Sequence, residues 1–196
     1  IHHDAANGLV YVGDELSRAV LVFDRAFHKV RTFAADKVPC DFELAGDRLY
    51  VCSHGTLDPF DSEAGEVGYI TDSGLGEYRP LLRGLNRPMR YVPFRHSGTD
   101  YAVLCEYGIS KGKITLYREG ESVLVLPMSG AIDCRVLDTD ADSQPEVYVL
   151  VAQEHECLLR FTMKPGGGIA QSVLIKKQPG WGFTAMEMLD ANGDGM

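Results

Sequence analysis

Residues Asp138-Thr139-Asp140-Ala141-Asp142-Ser143-Gln144-Pro145-Glu146 place three acids at strict alternation and a fourth shortly after. Oxygen ligands at alternate positions of a tight loop make a cage for a hard cation, and Ca2+ is the usual occupant. The opening of this motif recurs at the C-terminal end as Asp190-Ala191-Asn192-Gly193-Asp194-Gly195-Met196. Each copy follows an apolar-rich run, Ile132 to Leu137 and Phe183 to Leu189. Carboxylates crowded into one turn repel each other, and a divalent ion removes that repulsion and ties the flanking strands together. Such a site staples the fold. A catalytic metal would need an open coordination position and an acid–base group beside it.

The loop needs a strand on each side, and the chain supplies strands throughout. The most apolar are Leu9 to Val12, Leu49 to Cys52, Tyr101 to Leu104 and Val147 to Leu150. Each is rich in β-branched and aromatic residues and ends in Gly, Asp, Ser or Glu. A second strand follows each: Ala19 to Phe23, Glu66 to Ile70, Lys113 to Tyr117 and Cys157 to Phe161. A third follows at Lys29 to Phe33, Tyr78 to Leu82, Ser122 to Leu126 and Gln171 to Ile175. A less apolar strand precedes the strongest one, clearest at Pro88 to Phe94 and Ile132 to Leu137. The steps Tyr11 to Tyr50, Tyr50 to Ala102 and Ala102 to Tyr148 are 39, 52 and 46 residues. Four strands per repeat of that length is the signature of a β-propeller blade. The fold class is therefore all-β, a β-propeller with four-stranded blades, over a β-sandwich or a β-helix. Residues 1–196 read as one propeller domain, with blades at about 1–37, 38–86, 87–129 and 130–178 and the start of a fifth at 179–196. The motif broken at Met196 suggests a longer parent of seven or so blades, roughly 315 residues.

The hairpin between the first two strands differs from blade to blade. Ala6-Asn7-Gly8 and Gly46-Asp47 are tight turns with no room for a cation. Arg95 to Asp100 is long enough but carries one carboxylate. The pattern D-x-D-x-D-G-x-x-D/E between two blade strands resembles that of the FG-GAP repeats, also called VCBS repeats. These occur in integrin α-subunit propellers and in many bacterial secreted or surface proteins. Asn86-Arg87-Pro88, Cys105-Glu106-Tyr107-Gly108 with Gly112-Lys113-Ile114, and Gly130-Ala131-Ile132-Asp133 with Ala152-Gln153-Glu154 extend the resemblance from about residue 86 to the end. It implies a propeller whose loops bind structural Ca2+. Carried over, Asp138, Asp140 and Asp142 are side-chain ligands, Gln144 offers its carbonyl and Glu146 closes the site. In the second copy Asp190, Asn192 and Asp194 match. One departure is Ser143, where the family has Gly in a turn favouring positive φ. A Cβ there costs roughly 1 kcal/mol.

The net charge of −9 argues against a nucleic-acid surface, which needs clustered Lys and Arg. No apolar run approaches the ~20 residues that span a bilayer. The five cysteines show no C-x-x-C spacing, so a zinc ribbon or redox dithiol lacks support, and buried free thiols are expected. His2-His3-Asp4 is assigned to a blade's first strand. His28, His54, His96 and His155 fall in turns and strand ends without a catalytic pattern. The long insertion Gly55 to Gly65 is the candidate contact loop, and Trp181 the candidate plug between blades.

The function expected is a non-enzymatic, Ca2+-stabilised binding scaffold with protein partners, secreted, periplasmic or on the cell surface, and a subunit of a larger extracellular assembly fits the same reading. The alternatives are a propeller enzyme (hydrolase, lyase or dehydrogenase) with a site on the central channel, and a carbohydrate-binding lectin. The enzyme would need polar residues converging from the inner ends of several blades, and no such repeated position is visible in the sequence.

Overall fold

A computed structural model describes residues 1–55, 63–152, 156–164, 168–178 and 182–187. Sixteen strands form four sheets of four, each an antiparallel meander in chain order. The first sheet holds β1 (His2–Asp4), β2 (Leu9–Asp14), β3 (Ala19–Phe23) and β4 (Lys29–Ala34). The second holds β5 (Val38–Ala45), β6 (Arg48–His54), β7 (Gly65–Ile70) and β8 (Tyr78–Leu85). The third holds β9 (Pro88–His96), β10 (Thr99–Glu106), β11 (Lys113–Arg118) and β12 (Glu121–Pro127). The fourth holds β13 (Ala131–Leu137), β14 (Glu146–Val151), β15 (Cys157–Met163) and β16 (Ile169–Lys176). All-β meanders of four strands are what the repeat of β-branched runs dictates.

The chain divides into two compact units, Ile1–Tyr91 with Gly108–Ser110, and Val92–Tyr107 with Lys111–Met196. The core of the first joins Tyr11, Val20 and Val22 to Phe42, Leu49, Val51 and Ile70. The core of the second joins Val103, Ile114 and Leu116 to Cys134, Val147, Val149, Leu159 and Phe161. The middle strands supply most of these residues. The fourth strand of each sheet is largely exposed, with Val30, Leu81, Val125 and Val173 facing solvent. Burial of β14 on both faces explains why Glu146–Val151 reads as a continuous apolar run after its first residue.

Three local features depart from the simplest sequence expectation. The hairpin expected to span Arg95 to Asp100 is tight, because β9 runs to His96 and β10 starts at Thr99. Only Ser97 (φ 49°) and Gly98 (φ 81°) turn the chain. Two left-handed central residues match the right-handed twist of the flanking strands. Between β7 and β8, Asp72 (φ 54°), Ser73 (φ 47°) and Gly74 (φ 84°) form a left-handed turn. The buried Tyr11 hydroxyl donates to the Ser73 carbonyl at 2.5 Å, and the Ser73 N–H donates to the Asp47 carbonyl at 2.7 Å. A Cβ on Gly74 would lie 2.5 Å from the Tyr11 ring, so only glycine closes this turn. Finally, β5 and β13 each carry a register shift, between Pro39 and Asp41 and between Ala131 and Asp133. The extra residue re-aims the acid that follows it.

Candidate functional site

The acidic loop joins β13 to β14, where Leu137 pairs with Glu146 at the end of the ladder. Its backbone is held by its own carboxylates. The Ser143 N–H donates to Asp138 Oδ2 at 2.9 Å, and the Asp142 N–H approaches Asp140 Oδ1 at 3.4 Å. Glu146 is buried to 1% exposure, and its Oε2 accepts from the Thr139 N–H at 3.0 Å and the Thr139 hydroxyl at 2.8 Å. The same hydroxyl meets the Tyr148 hydroxyl at 2.6 Å. Ala141 (φ 58°) and Ser143 (φ 66°) are both left-handed. Ser143 thus adopts the conformation that favours glycine, at the cost of its Cβ.

This geometry converges three of the expected ligands. Single carboxylate oxygens of Asp138, Asp140 and Glu146 lie within 4.8 Å of one another. Oxygens sharing one Ca2+ at 2.3–2.6 Å stand at most about 5 Å apart, so the span of this group is within that limit. Asp142 stays outside it because its oxygens serve Gln144: Oδ1 accepts the backbone N–H at 2.7 Å and Oδ2 faces the side-chain amide at 3.4 Å. Among the described residues, no Lys or Arg forms an ion pair with Asp138, Asp140, Asp142 or Glu146. Asp190, Asn192 and Asp194 lie outside the described residues, as do His155, Trp181 and most of the 55–65 loop.

In the first sheet, His2 and Asp4 lie on β1 as expected. All five cysteines are free. Four are buried, and Cys40 is half-buried.

A polar system that the sequence hides lies on the first strands. Arg90 on β9 donates to both Asp41 oxygens at 3.0 and 2.9 Å, to the Phe42 carbonyl at 3.1 Å, and to Glu43. In the second unit Arg135 donates to Asp133 at 2.7 Å and to the Met186 carbonyl at 3.1 Å. Asp133 also accepts the Met186 N–H at 3.2 Å. Asp41 and Asp133 therefore hold equivalent places, each directly after a bulge and each on a guanidinium. The missed signal is that pairing of an acid after a bulge with an arginine, and Asp41 and Arg90 stand 49 residues apart. Asp41 thus fastens β5 to β9, and Asp133 fastens β13 to the segment at Met186.

No family model matches the chain, and no curated protein matches it. Solved structures do match. Hydrazine synthase of Kuenenia stuttgartiensis superposes with a TM-score of 0.59 at 16% identity, over 85% of this chain and 51% of that one. A luciferin-regenerating enzyme superposes with a TM-score of 0.54 at 14% identity, over 89% of this chain and 59% of that one. The chain thus spans between half and three-fifths of the structures it resembles. At such identities the likeness shows the fold alone: this is a β-propeller chain. Among the described residues, no helix is long and apolar enough to cross a membrane.

Proposed function

We propose that this propeller is a Ca2+-stabilised, non-enzymatic binding scaffold of the FG-GAP/VCBS kind, acting outside the cytoplasm on protein partners. The observation that carries the reading is the convergence of Asp138, Asp140 and Glu146 within 4.8 Å on a loop that contains no neutralising cation among the described residues. Each of the three commits one oxygen to the loop's own hydrogen bonds and leaves the other for an ion. The left-handed Ser143 supports the same reading, because that loop pattern needs a left-handed residue there. Ca2+ bound here would neutralise the loop and lock β13 to β14; the chain's own part is to aim the oxygens and hold Glu146 in place through Thr139. Asp41 and Asp133, the acids that follow the bulges of β5 and β13, are held by Arg90 and Arg135, which fits a structural use of these carboxylates.

Calorimetric titration with Ca2+, repeated on Glu146→Gln, tests the site. One equivalent bound by the wild type and weakened at least tenfold in the variant supports it. Absence of Ca2+ heat in the wild type removes the basis of the proposal.

A further inference from the structure

A second cluster lies in the first unit, unrelated to the acidic loop. The His54 Nε2 atom, at the end of β6, is 3.3 Å from the Met89 Sδ atom at the start of β9. The Cys40 thiol of β5 lies against the main chain next to both residues. It donates toward the Pro88 carbonyl at 3.2 Å, next to Met89, and toward the Cys52 carbonyl at 3.3 Å. The His54 backbone N–H points at its sulfur. Imidazole, thioether and thiol therefore gather where three strands meet.

We propose that His54 and Met89, with the Cys40 thiol beside them, bind a soft monovalent cation of the Cu(I) or Ag(I) class. Nitrogen at about 2.0 Å and sulfur at about 2.3 Å from one ion in a trigonal site stand about 3.7 Å apart, so the 3.3 Å contact needs to open by only about 0.4 Å to admit one. Thioether and thiol sulfur select soft ions and reject Ca2+ or Mg2+. Arg87 acts electrostatically on both His54 and Cys40. Its positive charge opposes a dication more than a monocation. His54, Met89 and Cys40 are each partly exposed. Without metal the same contact serves as an N–H···S hydrogen bond.

The test is anaerobic competition for Cu(I) between the 196-residue chain and bicinchoninate, read by absorbance. The variants are His54→Gln and Met89→Leu, with Met128→Leu as control. The remaining thiols are common to all four proteins, so differences report this cluster. Losing an outer-shell partner costs 10–100-fold, so losing a ligand is expected to weaken one Cu(I) equivalent at least about 100-fold, with the control unchanged. A wild type that surrenders all its Cu(I), or a Met89→Leu chain that holds it as tightly as wild type, overturns the proposal. Should a variant fail to fold, Ag(I) titration of the wild type by NMR decides. Shifts of the Met89 methyl and His54 ring protons are expected, and their absence refutes the site.

Discussion

Replacing Asp140 by Asn should stabilise the protein without Ca2+ and destabilise it with Ca2+. Asp140 faces two carboxylates, Asp138 and Glu146, and at 4.8 Å a pair of unit charges in a water-like dielectric repels by about 0.9 kcal/mol. Screening at physiological salt removes roughly half of that. Neutralising Asp140 therefore relieves about 1 kcal/mol in chelator, or about 2–4 °C in melting temperature for a chain of this size. With Ca2+ at a hundred times its dissociation constant, the wild type gains about 2.7 kcal/mol. A variant binding a hundredfold more weakly gains about 0.4 kcal/mol. After the repulsion relieved is subtracted, the variant is then less stable by about 1.3 kcal/mol, a few degrees below wild type. The assay is thermal unfolding of both proteins in excess chelator and across a Ca2+ series. The reasoning predicts that the two curves cross. A melting difference that keeps one sign and one size at every Ca2+ concentration refutes it.

Ser143→Gly should raise stability by about 0.5–1 kcal/mol, since relief at φ 66° outweighs the added freedom of the unfolded chain; chemical denaturation measures it, and a loss of stability would show that the Ser143 side chain matters. Arg90→Leu leaves the half-buried Asp41 and Glu43 without their guanidinium and should cost about 2 kcal/mol, less than a fully buried pair because all three retain some solvent; an unchanged urea midpoint would contradict this. Because the His54 pKa is depressed from 6.5 to about 4, the unfolded chain takes up the proton first on acidification. Its contribution to stability is complete above pH 6.5 and is lost as the pH falls toward 4, with a slope of up to about 1.4 kcal/mol per pH unit. His54→Gln should flatten the stability profile across that window, and an unaltered profile would show that His54 is not the group titrating.

The strands were legible where burial dominates the residue choice. Val147 to Leu150 and Leu49 to Cys52 lie in β14 and β6 because the second strands of these sheets pack on both faces. The first strands were harder to read: β5 mixes Asp41 and Glu43 with Phe42, since one face serves the core and the other the Arg90 network. The hairpin between β9 and β10 was read too long because the chain alone does not show that Arg95 and His96 remain paired. In the acidic loop, the convergence of Asp138, Asp140 and Glu146 follows the alternation in the sequence. The diversion of Asp142 to Gln144 does not, because it depends on a hydrogen bond two residues along the same turn. The left-handed turn at Asp72 and Ser73 depends on the Tyr11 hydroxyl, 62 residues before Ser73. No local pattern encodes such a partner.

The two arginine fastenings make different demands on whatever strand lies next to them. Between β5 and β9 the grip is side chain to side chain, with the acids on one repeat and the base on the following one. At β13 the acid and the base share a strand and take hold of the Met186 main chain. The first joint is thus sequence-specific and the second is largely blind to sequence. A foreign repeat spliced in ahead of β9 would arrive without the matching guanidinium and leave Asp41 and Glu43 facing it. One spliced in after β16 would offer the same peptide groups that Met186 offers. A graft library built at both positions should therefore yield more folded protein from the joint after β16 than from the joint ahead of β9.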